Sequence, residues 1–182
     1  MIRTAQVKVI IGLGNPGREY ERTYHNAGVL SLPFIAANLA SGAVPLDFKR
    51  YKDSFEYASA GNVTLVKPLT YMNESGAAVR DALKVLRVSP EDIAVAHDDS
   101  DLTIGDFRIV KGGGAAGHKG ILSIVAHIGT EDFLRIRIGI RAANEARRKK
   151  AGDFVLSTIT PSDMKMLESA FGEISKNLGI EK

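Results

Sequence analysis

His25 lies in Tyr24-His25-Asn26-Ala27-Gly28, just ahead of an apolar stretch that reads as a helix. A neutral imidazole, with an unperturbed pKa of about 6.5, is the side chain best suited to taking a proton from water near neutral pH. Such a base gains from a carboxylate on its other nitrogen, which sets the tautomer and stabilises the charged ring. Asp98 is the candidate partner. It follows the short apolar run 93–96, within His97-Asp98-Asp99-Ser100-Asp101. Strand ends are where α/β sheets form ligand crevices. Other readings stay open for these residues. Asp98, Asp99 and Asp101 could hold a metal with His25, His97 or His118, or only cap a turn. Asn73 precedes a helix in Pro68-Leu69-Thr70-Tyr71-Met72-Asn73-Glu74-Ser75-Gly76. It is either a cap or an amide for a substrate carbonyl or a developing oxyanion.

Two glycine-rich segments are further candidates. Gly12-Leu13-Gly14-Asn15-Pro16-Gly17 has the form of a dinucleotide-binding turn after a strand. Its context argues against that use. The polar residues 18–23 show no apolar stripe, Pro16 removes an amide, and Ala37 stands about where the ribose-binding acid belongs. The second segment, residues 111–120, reads KGGGAAGHKG and leads into a helix. Glycines admit a ligand close to the backbone, and helix N-termini favour anions. Lys111 and Lys119 on its two sides tilt the reading from a plain connector towards phosphate or a nucleic-acid end. Neither a G-x-S-x-G elbow nor a G-x-x-x-x-G-K-[ST] loop is present. Water activated by a histidine is the simplest hydrolytic chemistry left.

The elements that must position these residues alternate between strand and helix. Residues 7–13 read as a buried strand. Residues 27–40 read as a helix that Pro33 either kinks or starts near Leu32. Residues 48–68 hold two or three strands, with a hairpin turn at Ala60-Gly61-Asn62. Residues 75–87 form a helix with Val79, Leu83 and Leu86 on one side. Short strands follow at 93–96 and 107–110, then a helix carrying Ile121, Leu122, Ile124, Val125 and Ile128. In the strand 133–140, Leu134, Ile136 and Ile138 alternate with Arg135 and Arg137. Thr160-Pro161-Ser162-Asp163 caps a last helix, lined by Met164, Leu167, Phe171, Ile174 and Leu178 and ended by Gly179. This pattern predicts one α/β domain over residues 1–182, with no repeat and no dividing linker.

Composition bounds the possibilities. The 182 residues are 45% hydrophobic and 25% charged, enough for one sizeable core. The absence of cysteine excludes a disulfide scaffold, a thiol nucleophile and a cysteine-built zinc site, and it suits a reducing cytosol. The N-terminal stretch is broken by Lys8 and makes a poor signal peptide. No apolar run approaches the roughly 18 residues of a membrane span. The net charge is only +3, yet residues 135–150 hold seven basic side chains against Glu145. That run is either a phosphate-binding segment or a solvated basic loop.

Taken together, the motifs resemble bacterial peptidyl-tRNA hydrolase. GLGNPG at residues 12–17, Tyr20, HNAG at 25–28 and P-x-T-Y-M-N-x-S-G at 68–76 follow the family's order. HDDSDL at 97–102, GGGAAGH at 112–118 and F-x-R-I-R-I-G-I at 133–140 complete it, so the likeness covers about residues 7–157. The resemblance implies a twisted, mostly parallel mixed sheet flanked by helices. It implies hydrolysis of the ester of peptidyl-tRNA shed by stalled ribosomes, by a cytoplasmic monomer without cofactor or metal. By motif, His25 activates water, Asp98 supports its basic form, and Asn15 helps tell N-blocked substrate from free aminoacyl-tRNA. Asn73 holds the peptide and places the ester. Tyr20 and Tyr71 line the site near the tRNA 3′ end, with His118 and Lys119 on the substrate side. Arg108, Lys111, Arg135 and Arg137 meet phosphates of the acceptor stem. The chain departs from the family at Tyr24, usually arginine, and at Lys119, usually asparagine. It also differs at Val110, often basic, in Arg141-Ala142-Ala143-Asn144, and in a shorter tail. A catalytically impaired tRNA-binding protein on the same scaffold is the alternative.

Overall fold

The computed structural model describes residues 7–39, 46–142, 152 and 154–178. The first apolar run forms β1 (Val9–Gly12), buried throughout, as a strand covered on both faces must be. It lies parallel between β4 (Val63–Pro68) and β5 (Ile93–Thr103), and β7 (Leu134–Arg141) runs parallel beside β5. The margins are antiparallel. β3 (Phe55–Ala60) pairs with β4, β2 (Lys49–Tyr51) with β3, and β6 (Phe107–Lys111) with β7. The seven-stranded order is β2-β3-β4-β1-β5-β7-β6, and by these pairings only β3 and β6 oppose the common direction.

Alternation along β1 divides the core. Ile10 packs with α1 (Ala27–Leu39) and α4 (Pro161–Asn177). Val9 and Ile11 pack on the other face with α2 (Ser75–Leu86) and α3 (Lys119–Ile128). The helices end as their residues dictate. Thr160 Oγ1 accepts the Asp163 N–H at 3.2 Å at the start of α4, and α3 stops at Gly129 with φ of 74°. The residue expected to end α4, Gly179, lies outside the described residues, as does 147–150 of the basic run.

Three expectations change. α1 does not start near Leu32 but continues from Ala27 through Pro33, which lies on its exposed side. β5 does not stop at Ala96 but continues to Thr103, because β7 pairs with it through Asp99 and the polar side chains of 97–99 find partners. The strand alternation of Arg135 with Ile136 does not turn Arg135 to the surface. α3 and the glycine loop cover that face, and Arg135 is only 2% exposed.

One close approach sets the site. A Cβ on Gly28 would stand 2.2 Å from the Ala96 carbonyl oxygen. Glycine therefore lets the first turn of α1 rest on the ends of β1 and β5. That contact brings His25, three residues before Gly28, beside Asp98, two residues beyond Ala96.

Candidate active site

The carboxyl ends of β1, β4 and β5 open into a cleft of about 540 Å³, where ligands bind in parallel sheets. Asn15, His25, Asn73, Asp98, Lys111, His118, Lys119, Arg135 and Arg137 all line it. His25 sits in a 3-10 turn, Tyr24–Asn26, rather than in a free loop. A distant segment clamps that turn. The His25 N–H donates to the Val155 carbonyl at 2.8 Å, the Ile159 N–H to Arg22 O at 2.8 Å, and Thr23 bridges Thr158. The Tyr24 hydroxyl adds a short hydrogen bond to Asp163, and burial with that carboxylate pushes the phenol up to about 12.

At the floor, His25 Nδ1 lies 2.8 Å from Asp98 Oδ1, and His118 Nε2 lies 2.9 Å from the same oxygen. The tautomers follow from the partners. His118 Nδ1 accepts the Ile121 N–H at 3.3 Å, so its proton sits on Nε2 and faces Asp98. An ionised Asp98 can only accept, so His25 donates from Nδ1, and in the neutral ring Nε2 is then the acceptor. Burial alone would raise the Asp98 carboxyl. The N–H groups that His118 and His25 direct at Asp98 more than offset it and hold the carboxyl below the usual carboxylate range. His97 is different. Its Nδ1 donates to the Asp98 carbonyl at 2.8 Å, and burial, with His118 beside it, pushes it down to about 3. It is a neutral core histidine.

The other acids do not converge on Asp98. Alternation along β5 sends Asp99 to the side of Arg137, which donates to Asp99 Oδ2, while Asp99 Oδ1 accepts the Asp101 N–H at 2.8 Å. Among the described residues, His25, Asp98 and His118 form the one group whose ligand atoms could meet around a cation. Hydrogen bonds already account for their spacing.

The two asparagines take different places. Asn73 belongs to a 3-10 turn, Met72–Glu74, and Glu74 holds the cap position of α2, so the Asn73 amide is exposed to the cleft rather than closing a helix. Asn15 is braced on three sides. Its N–H donates to Asn26 Oδ1 at 2.8 Å, its carbonyl accepts Asn26 Nδ2 at 3.0 Å, and its Oδ1 accepts the Met72 N–H at 2.8 Å. Among the described residues, nothing accepts from the remaining Nδ2. Asn26 is a structural residue that the sequence reading missed, since nothing in its spacing points to Asn15.

The rim is uneven. Tyr71 is 52% exposed and meets Tyr20 edge to face, with centroids 6.4 Å apart. Lys119 opens α3 and is exposed, as are Arg108 and Lys111 on β6; Lys111 pairs with Asp132 at 2.9 Å, and Arg108 does not line the cleft. Arg135 plays another part. Its guanidinium stacks on Phe133 at 5.0 Å and donates to the Gly114 carbonyl at 2.9 Å, holding the glycine loop. Burial lowers its affinity for its proton, against the opposing charge of Glu131. A phosphate on the outer surface does not reach it as it stands.

Known proteins resemble the chain in both sequence and fold. The profile of the peptidyl-tRNA hydrolase family matches residues 9–180. The chain is 40% identical over 172 residues to the peptidyl-tRNA hydrolase of Shouchella clausii, across 93% of this chain and 90% of that protein. It is 41% identical over 164 residues to the protein of that name from Mycobacterium bovis, across 87% of this chain and 82% of the other. The crystal structure of peptidyl-tRNA hydrolase from Acinetobacter baumannii matches with a TM-score of 0.79 and 32% identity, over 96% of this chain and 87% of that one. Likeness at this level over nearly the whole length, in sequence and in fold, places the chain in the peptidyl-tRNA hydrolase family.

Proposed function

We propose that this protein hydrolyses the ester of peptidyl-tRNA, freeing tRNA and peptide, with His25 as the base. The observation that carries the reading is the His25–Asp98 contact of 2.8 Å, which leaves Nε2 unprotonated at the cleft floor. Nε2 takes a proton from water as the water oxygen bonds to the ester carbonyl carbon. Asp98 stabilises the imidazolium that forms. The tetrahedral intermediate collapses with cleavage of the bond to the terminal ribose oxygen, and the imidazolium returns its proton to that oxygen. Base catalysis of this kind contributes about 10²–10⁴-fold, and amide donors around the carbonyl add to it.

Asn15 Nδ2 suits the selection of N-blocked substrate. A peptide presents a carbonyl acceptor to this donor, whereas a free α-ammonium presents only further donors. Asn73, exposed beside Met72 whose N–H donates to Asn15 Oδ1, suits holding the peptide and placing the ester. Tyr20 and Tyr71 offer faces for the 3′-terminal bases. His118 acts through Asp98, and Lys119 extends the positive rim. Arg108, Lys111 and Arg137 are the side chains suited to acceptor-stem phosphates, while Arg135 supports the loop between them. The seven strands form one continuous sheet, which supports a single domain over residues 1–182, and a monomer is the state that the family resemblance implies. The substrate arises where translation occurs, so the reading places the protein in the cytoplasm. Among the described residues, no helix is long and apolar enough to cross a membrane.

Cleavage of N-acetyl-aminoacyl-tRNA, measured beside tRNA binding, tests the proposal. His25→Ala is expected to bind tRNA normally and to lose about 10²–10⁴-fold in kcat. If the unaltered protein binds tRNA but does not cleave it, the protein is a tRNA-binding relative, and Lys119→Asn becomes the variant to assay for restored turnover.

A further inference from the structure

Lys119 stands where a helix ordinarily carries an acid. It is the first residue of α3, and the first turn of that helix holds no acidic side chain. A helix N-terminus bears a partial positive charge, which favours carboxylates and disfavours cations. Local rules of this kind are broken at functional sites. Lys119 is exposed and lines the catalytic cleft, and among the described residues no carboxylate pairs with it.

The packing of α3 sets Lys119 between the groups that handle substrate. On one side, His118 reaches Asp98 at 2.9 Å and, through it, His25. On the other, Gly120 rests against the segment that carries Asn15. A Cβ on Gly120 would stand 2.6 Å from Met72 Sδ and 2.9 Å from Leu13 Cδ1. The Met72 N–H donates to Asn15 Oδ1, and Leu13 lies two residues before Asn15.

The acids of the cleft are committed elsewhere. Asp98 is held by its two imidazoles, and Asp99 takes Arg137 on one oxygen and the Asp101 N–H on the other. Asp101, the last acid to line the cleft, lies beside that pair. Two cations add to the charge at the start of α3. Lys111 is paired with Asp132, but Arg135, beneath the glycine loop, has no partner for Nε and Nη2 among the described residues. The end of the cleft formed by α3 and the glycine loop is therefore positive.

We propose that Lys119 is a specificity residue that repels the α-ammonium of free aminoacyl-tRNA, adding a charge filter to the carbonyl reading of Asn15. The inference rests on the hydrolase reading above. In that reaction Asn15 Nδ2 meets the first carbonyl of a blocked substrate, and free aminoacyl-tRNA brings an ammonium to the same end of the cleft. The filter acts only while that group is charged, and an α-amino group has an ordinary pKa of about 8. Two like charges a few ångströms apart at a solvated surface repel enough to change kcat/KM about tenfold.

The test uses three esters of one tRNA: N-acetyl-aminoacyl, aminoacyl and α-hydroxyacyl. The last lacks both the blocking carbonyl and the charge, so it separates Lys119 from Asn15. All three need the same base, so ratios between them cancel the titration of His25. Cleavage is followed with enzyme in excess and corrected for spontaneous hydrolysis, on the unaltered protein, Lys119→Arg and Lys119→Gln. Melting temperatures establish that both variants fold. At pH 6, Lys119→Gln is expected to gain about tenfold on the aminoacyl ester relative to the hydroxyacyl ester, while Lys119→Arg keeps the original ratio. At pH 9 the three proteins should agree. A loss by one factor on all three esters would overturn the filter, because Lys119 would then be a phosphate contact. No relative gain on the aminoacyl ester in Lys119→Gln overturns it as well, and so does a gain that persists at pH 9. If the unaltered protein does not cleave the acetylated ester, the hydrolase reading itself fails, and that outcome is distinct because it appears without any substitution.

Discussion

Two imidazoles share one oxygen of Asp98, so neither has the whole of its charge. Each N–H donor on a carboxylate weakens the support it lends to the other. Removing His118 leaves Asp98 to His25 alone and takes away one of the two donors that fix the carboxylate. For His118→Ala, kcat should fall less than about tenfold, with KM for N-acetyl-aminoacyl-tRNA unchanged. A raised KM would show that His118 acts on substrate instead. His25 and Asp98 were legible as candidate partners from residue type, one just ahead of an apolar stretch and the other beyond the end of one, but that they meet in space rested on the family resemblance. The sharing was not legible, because His118 stands 20 residues beyond Asp98 in a glycine loop whose path no periodicity describes. Asn73 was ambiguous for a related reason, as a cap and a cleft amide carry the same residue in the same place.

At the scale of the element, β5 takes His97, Asp98 and Asp99 through the buried middle of the sheet, where an unpaired charge is costly. His97 is the one without an ionic partner, and its folded pKa, pushed down to about 3, lies below that of the unfolded chain near 6.5. The unfolded state therefore binds the extra proton, and stability falls as pH drops below the unfolded value. Between about pH 6 and 4, above the range where Asp98 contributes, the loss due to His97 is about 1.4 kcal/mol per pH unit. Denaturant melts over this range should show that slope, and His97→Asn should remove it. The length of β5 was hidden in the sequence, because a run of acids looks like a turn until β7 and the two histidines supply partners. The amphipathic helices α2 and α4 were readable at nearly their observed bounds, since one apolar stripe is all that their packing requires.

For the whole molecule, cationic side chains gather on one rim while the net charge is only +3. Binding through phosphates releases counterions, so affinity for tRNA should fall steeply with salt. Arg108→Ala should lower the slope of log Kd against log salt by about one contact, and Arg135→Ala should leave the slope alone while destabilising the glycine loop. The second half of that expectation reverses the plain reading of the strand. Alternation alone treats Arg135 and Arg137 as equals, and only the cover over that face separates them.

The clamp on the His25 turn has a consequence in time. His25, Asn73 and Asp98 all leave the ribosome before residue 100, yet the backbone bonds that hold the catalytic turn come from Val155 to Ile159. A growing chain thus carries its reactive groups long before it can assemble them. The enzyme that would cut peptides from tRNA stays inert through most of its own synthesis, while it is itself a peptidyl-tRNA.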